Sequence, residues 1–304
     1  MSDRPLRIGT RASKLARWQS DWVAEQLRGL GHEVEMVEIK TSGDRQQMGP
    51  IEAIGVTGVF TKELQRALLE ERVDLAVHSL KDLPTAAIDG LTVAAVPPRE
   101  GVRDALISPA AESLDALAQG ARVGTGSYRR RAQLLHRRPD LQMLDLRGNV
   151  DTRLRKLDDG DYDAILLAEA GLRRLGLADR ISLAIPAETL LPAPGQGALG
   201  IECRAGDEST PSVLAPLDHA ATHAAVVAER SALAHLEGGC LAALGAWGRI
   251  EGESLRLSVV VLSEDGTKRL FAESTGSPAE AAAVGIAAAD DLLSQGAGEL
   301  LIRR

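Results

Sequence analysis

Along the first ninety-odd residues, apolar positions fall in short runs separated by amphipathic stretches. Residues 6–9 form a short apolar run, 13–30 carry helical spacing up to Gly31, 34–39 read as a strand, 60–71 as an amphipathic helix and 73–78 as a buried strand. This alternation predicts a mostly parallel sheet with helices on its faces. A proline-rich break at Pro97-Pro98 precedes a second alternation, with strands predicted over 105–108, 122–124, 141–146 and 164–168 and helices over 114–118, 128–138, 150–157 and 170–175. After another break, Leu191-Pro192-Ala193-Pro194-Gly195-Gln196-Gly197, a strand over 198–203 is assigned back to the first domain. Past Asp218 an Ala-rich helix over 219–237 stops at Gly238-Gly239, three strand-like runs cover 244–250, 255–262 and 268–273, and a helix covers 278–293. The expected organisation is an α/β domain from 1–97 with 198–216, a second α/β domain over 102–191, and a small α+β domain over 218–304. Two crossovers between similar domains predict a hinge over a ligand-binding cleft.

At 304 residues the chain is long enough for several cores. Hydrophobic residues make up 44% and charged residues 26%, an ordinary globular balance, but aromatics only 2%. The cores are therefore built from Ala, Leu, Val and Ile, and a base-stacking nucleic-acid surface is not expected. The N-terminal segment has no apolar core, and no stretch reaches the roughly eighteen apolar residues of a membrane span, so a cytoplasmic protein without a membrane partner is expected. Cys203 and Cys240 are too few for a disulfide framework and fit no metal-binding spacing. Net charge is −8, yet between Arg122 and Arg180 twelve Arg and one Lys face nine acidic residues, so that stretch carries +4 and the remainder −12. The clustering points to an anion. The overall preference for Arg over Lys is attributed to codon bias.

Residues 73–84 read as a buried strand running into the turn His78-Ser79-Leu80-Lys81-Asp82-Leu83-Pro84. Side chains just past the carboxyl end of a parallel strand line the crevice of an open α/β sheet, which puts Ser79, Lys81 and Asp82 within reach of a ligand. Equally, Asp82 caps the turn before Pro84 and Lys81 is solvated; position alone leaves both readings open. In Gly124-Thr125-Gly126-Ser127-Tyr128-Arg129-Arg130-Arg131 a glycine turn and an N-cap serine lead into a helix whose first turn is arginine. Cations at the positive end of a helix dipole are destabilising unless an anion neutralises them, so an anionic ligand is expected there. Arg147, Arg153, Arg155, Arg173 and Arg174 add guanidinium groups after other strands of the same domain. Leu236-Glu237-Gly238-Gly239-Cys240 sets a thiol on a glycine-flanked turn whose use the motif alone does not reveal, while Cys203 reads as a buried apolar residue.

These segments, together with Gly9-Thr10-Arg11-Ala12-Ser13-Lys14-Leu15-Ala16, Leu146-Arg147-Gly148-Asn149-Val150 and Pro194-Gly195-Gln196-Gly197-Ala198, resemble in content and order the motifs of the hydroxymethylbilane synthase (porphobilinogen deaminase) family. The resemblance spans most of the chain. It implies a monomeric transferase of tetrapyrrole (heme-type) biosynthesis that deaminates porphobilinogen, condenses four units head to tail on a covalently bound dipyrromethane primer, and releases hydroxymethylbilane by hydrolysis. It implies that Cys240 holds the dipyrromethane through a thioether. Asp82 would be the catalytic residue, a buried carboxylate beside the pyrrole nitrogens. Ser79, Lys81, Asp82, Thr125, Ser127, Arg129 and Arg130 would hold the cofactor, and Arg11, Ser13, Arg147, Arg153 and Arg174 the incoming substrate, with no metal. The implied fold is α/β: two hinged domains resembling type II periplasmic binding proteins plus a small α+β C-terminal domain. The chain departs from many relatives by Ala53 and Thr57, where lysines are common, and by Gly126, where serine is common. The rival reading, a non-catalytic hinged two-domain anion-binding protein, leaves Cys240 and the third domain without a purpose. Nucleic-acid binding is disfavoured by the overall acidity and scarce aromatics.

Overall fold

A computed structural model describes residues 4–39, 61–237 and 243–301. The chain divides into two compact units, Met1–Arg99 with Ala198–His223 and Glu100–Gly197 with Ala224–Arg304.

Unit one opens with β1 (Leu6–Thr10), α1 (Lys14–Gly29) and β2 (Val34–Glu38). Ser13 caps α1 by accepting the Ala16 N–H, which satisfies one of the amides a helix start leaves unpaired, and the helix buries Val23, Ala24 and Leu27 against the sheet. Next come α2 (Lys62–Leu69), β3 (Leu75–Ser79) and β4 (Leu91–Ala95), and after the excursion through unit two the chain returns as β10 (Leu199–Arg204) and α6 (Ser209–Leu214). Strand order is β2-β1-β3-β10-β4. β1 is parallel to β2 and β3, whereas β10 runs antiparallel to β3 and β4.

In unit two, β5 (Asp104–Ile107), β6 (Arg122–Gly124), α3 (Tyr128–Arg137), β7 (Gln142–Leu144), α4 (Val150–Asp158), β8 (Ala164–Ala168), α5 (Glu169–Arg174) and β9 (Leu183–Ile185) build a sheet ordered β7-β6-β8-β5-β9. β6 is parallel to β7 and β8, and β5 is antiparallel to β8 and β9. Both sheets therefore share one arrangement: the fourth strand, reached directly after a crossover, runs against its neighbours. Helix α7 (Ala220–His235) then leads to an antiparallel meander of β11 (Leu244–Glu251), β12 (Ser254–Leu262) and β13 (Arg269–Gly276), followed by α8 (Ala281–Ser294) and α9 (Ala297–Leu301). Ala228, Ala232, Leu257, Val259, Ala288 and Leu292 form the core of this layer. A second apolar seam of Ala132, Leu191, Ala243, Val260 and Leu262 joins it to the five-stranded part, next to a hydrogen bond of 2.8 Å between His136 Nδ1 and the Gly266 carbonyl.

The structure corrects several element expectations. Residues 114–118 form bends and turns, not a helix: Leu114 and Leu117 are buried and Ser113 Oγ accepts the Ala116 N–H, but one turn does not offset the cost of helix nucleation. Each sheet contains an antiparallel member because its fourth strand enters from the opposite direction. The strands β4 and β9 and helix α6 are additions that the periodicity did not mark. α7 ends at His235, and the left-handed residue that follows is Glu237, at φ 50°. Gly238 and Gly239 lie outside the described residues.

Candidate active site

In unit one, Arg11 and Ser13 follow β1, while Ser79 ends β3, its parallel neighbour, and Lys81 and Asp82 follow it, so all five lie at the carboxyl edge of these strands. The turn after β3 is anchored by apolar contacts: Leu80 and Leu83 are buried, the Leu80 N–H donates to the Ala198 carbonyl at 3.0 Å, and the Leu83 N–H donates to the Leu80 carbonyl. With these two side chains turned inward, Lys81 is half-buried and Asp82 is exposed, not buried as expected. Ser79 Oγ accepts a 2.8 Å hydrogen bond from Gln19 Nε2 on the buried face of α1. Cys203 is fully buried in β10, and desolvation pushes its thiol up to about 11, in keeping with a structural role.

In unit two, Thr125 and Ser127 follow β6, Arg147 follows β7, and Arg174 ends α5 after β8. Thr125 is buried, and its hydroxyl accepts the Ser127 N–H while its own N–H donates to the Leu144 carbonyl. Ser127 caps α3 by accepting the Arg130 N–H. Arg147 is half-buried, and Arg153 Nε donates to the Gly148 carbonyl at 2.7 Å, across a turn where Gly148 sits at φ 109°. Arg174 is buried and donates to the Gly197 carbonyl at 2.7 Å; desolvation pulls its guanidinium down to about 10, partly offset by the Glu100 charge.

The arginines at the start of α3 do not wait for an external anion. Arg129 Nη1 donates to Asp104 Oδ2 at 2.6 Å, and Arg130 Nη2 donates to Oδ1 at 2.7 Å, in an environment sealed from solvent. The expectation that helix-terminal cations require a ligand therefore needs correcting: an internal carboxylate supplies the first counter-charge. Burial would raise the Asp104 carboxyl, but the charges of Arg129 and Arg130 overcome it and hold the group far below the carboxylate range. Sequence reasoning missed Asp104. The available signal was a carboxylate opening a strand whose other residues are all apolar, since a buried charge demands a partner. Gln196 was also given no role, yet it is fully buried and its Nε2 donates to Asp104 Oδ1 at 2.9 Å and to the Val102 carbonyl at 2.8 Å. Cys240, Ala53 and Thr57 lie outside the described residues.

In each unit polar and cationic side chains follow the carboxyl ends of parallel strands, the position at which open α/β sheets bind ligands. Sequence comparison makes the reading specific. Residues 6–212 match the model of the porphobilinogen deaminase dipyrromethane cofactor-binding domain, and residues 223–294 match that of the porphobilinogen deaminase C-terminal domain. A porphobilinogen deaminase of Syntrophotalea carbinolica is 49% identical over 99% of this chain and 96% of its own, and one of Geobacter metallireducens is 48% identical over 99% and 95%. A lipoprotein of Bacillus subtilis, similar in structure over 70% of this chain and 89% of its own, has 12% identity and a TM-score of 0.43. The chain belongs to the porphobilinogen deaminase family. Its activity is that of the family, a transferase reaction of tetrapyrrole biosynthesis, and its cofactor is dipyrromethane. No helix among the described residues is long and apolar enough to cross a membrane.

Proposed function

We propose that this chain condenses four porphobilinogen molecules on a dipyrromethane held by Cys240, with Asp82 as the catalytic residue. The residues present fit a carboxylate-bearing group of this kind: two guanidinium groups face one carboxylate at Asp104, and Arg129 Nε is buried with no hydrogen-bond partner. Ser79, Lys81, Thr125, Ser127, Arg129 and Arg130 would hold the cofactor. When bound, the dipyrromethane supplies a free pyrrole α-carbon as nucleophile. The carboxylate of Asp82 accepts a pyrrole N–H and stabilises the positive charge that develops as the C–N bond of porphobilinogen breaks and ammonia leaves. It then takes the proton released when the new C–C bond forms. Arg11, Ser13, Arg147, Arg153 and Arg174 take the acetate and propionate groups of the incoming porphobilinogen. Arg174 supports this role, since a desolvated cation gains most from a carboxylate. The three-domain division, a monomeric state and a cytoplasmic location belong to the same reading.

The observation that carries this reading is near-full-length identity of 49% to a porphobilinogen deaminase, with Asp82 displayed on a turn anchored by buried leucines. Intact mass of the isolated protein should exceed the sequence mass by one dipyrromethane, and peptide mapping should place it on Cys240. With cofactor loading verified, Asp82→Asn should slow single-turnover elongation by a factor on the order of a hundred. Parental elongation rates in the loaded variant would remove Asp82 from the chemistry.

A further inference from the structure

Among the described residues six carboxylates gather more than one arginine each, and only Asp104 does so out of water; Glu70, Glu251 and Glu273 meet theirs at the surface. Asp74 pairs with Arg4, Arg7 and Arg204, whose side chains keep 58%, 25% and 18% of their surface, so the excess charge there is hydrated. Glu169 pairs with Arg103 and Arg173, which are 43% and 45% exposed. Around Asp104 the two arginine side chains keep only 4% and 6%, and Asp104 itself none.

The bonding around Asp104 is saturated. Oδ1 accepts from Arg130 Nη2 at 2.7 Å, Arg130 Nε at 2.9 Å, Arg129 Nη2 at 3.2 Å and Gln196 Nε2 at 2.9 Å, while Oδ2 accepts from Arg129 Nη1 at 2.6 Å. A carboxylate offers about four lone-pair positions, so no donor of a ligand has a place on it. The guanidinium groups are fixed from behind as well: Arg129 Nη1 donates to the Leu191 carbonyl at 2.7 Å, itself gripped by Gln133, and Arg130 Nη1 donates to the Leu166 carbonyl at 3.0 Å. What remains is one uncompensated positive charge and the buried, unpartnered Nε–H of Arg129. A purely structural salt bridge needs one arginine per carboxylate, and a second desolvated cation is costly unless another anion meets it.

We infer that Asp104 is a positioning residue: it fixes Arg129 and Arg130 and cancels one of their two charges, making them a rigid site of single positive charge for one carboxylate of the dipyrromethane. This rests on the cofactor role proposed above for the two arginines. Setting the charge at one favours a single carboxylate and leaves no second free cation to draw in another.

The test counts charge at the site and reads the fraction of purified protein carrying dipyrromethane by intact mass, with the thermal midpoint measured alongside. Arg130→Met leaves the Asp104–Arg129 pair neutral; it should fold and its loaded fraction should fall at least tenfold. Adding Asp104→Asn restores a charge of one on Arg129, and the double variant should load severalfold better than Arg130→Met while melting lower. A merely structural Asp104 would move both quantities down together. Double-variant loading no better than that of Arg130→Met, in folded protein, overturns the inference. Should the double variant not fold, Arg130→Lys takes its place, since it keeps the single net charge with Asp104 present; loading no better than that of Arg130→Met overturns the inference equally. Parental loading in Arg130→Met is a different failure: it removes the arginines from cofactor binding altogether.

Discussion

Glu229→Ala isolates one buried carboxylate that joins distant parts of unit two. Glu229 lies on α7, fully buried; its Oε2 accepts the Gly195 N–H at 2.6 Å and its Oε1 accepts the Gly248 N–H at 2.8 Å. Truncation leaves two backbone donors in an interior where water does not replace the lost acceptor. A β-carbon at Gly248 would sit 2.7 Å from the Ala225 carbonyl, so the strand lies tightly against the helix. Each stranded N–H costs about 1–3 kcal/mol, so the pair costs about 2–6 kcal/mol. For a unit of this size 1 kcal/mol moves the midpoint by about 2–4 °C, which predicts a fall on the order of 5–20 °C. Glu229→Gln keeps the volume and one acceptor and should lose about half as much. The assay is thermal unfolding followed by circular dichroism, with calorimetry to confirm that one transition is being compared. A midpoint within 2 °C of the parent for Glu229→Ala would refute the claim that these two donors depend on this carboxylate.

Cys203, with its thiol raised to about 11 and no exposed surface, should resist alkylation in the native protein at pH 8 and react fully in denaturant; rapid native modification by peptide mapping would contradict its burial. Burial would raise the Asp74 carboxyl, but hydrogen bonds and charge from Arg7 with the Arg4 charge bring it down to about 2. Because the folded value lies below the unfolded one, the stabilisation is complete above about pH 4 and drains away toward pH 2, so Asp74→Asn should flatten the fall in stability across that window in denaturant titrations. Gly285→Ala sets two effects against each other: helix propensity favours alanine by about 1 kcal/mol, but the added carbon would run into the Ala228 carbonyl and Ser231, and overpacking costs about 1–3 kcal/mol. A net loss in urea unfolding is expected, and a gain would show that α7 and α8 can separate freely.

The periodicity exposed the long elements well because α1, α7 and α8 each bury a stripe at helical spacing, and the order of strand and helix pointed to two α/β sheets. The direction of β5 and β10 was not legible. Nearly every residue in both strands is buried, so parallel and antiparallel pairings present the same apolar run. β9 has three residues and α6 six, too few for a period to register. At the site, the positions of Ser79, Lys81, Asp82, Thr125 and Ser127 followed from strand ends, which are local features. The partner of Arg129 and Arg130 did not, since Asp104 lies about one α/β repeat earlier in the chain and only the sheet brings them together.

The same distinction explains Pro194-Gly195-Gln196-Gly197, a motif that identifies the family while none of its side chains is assigned to substrate or cofactor. The Gly195 N–H is held by Glu229, the Gln196 amide donates to the same Asp104 oxygen that both arginines reach, and the Gly197 carbonyl accepts both Arg174 Nη2 and the Glu100 N–H. Gly195 and Gly197 adopt φ of 74° and 86°, and a β-carbon at Gly197 would lie 2.5 Å from the Glu100 carbonyl, so other residues are excluded there by sterics as well as by backbone strain. One short run thus sets the backbone against which Arg174, Arg129 and Arg130 are all aligned. Its sequence is restricted because guanidinium groups recognise carboxylates by geometry, and a displacement of the segment moves several binding groups at once.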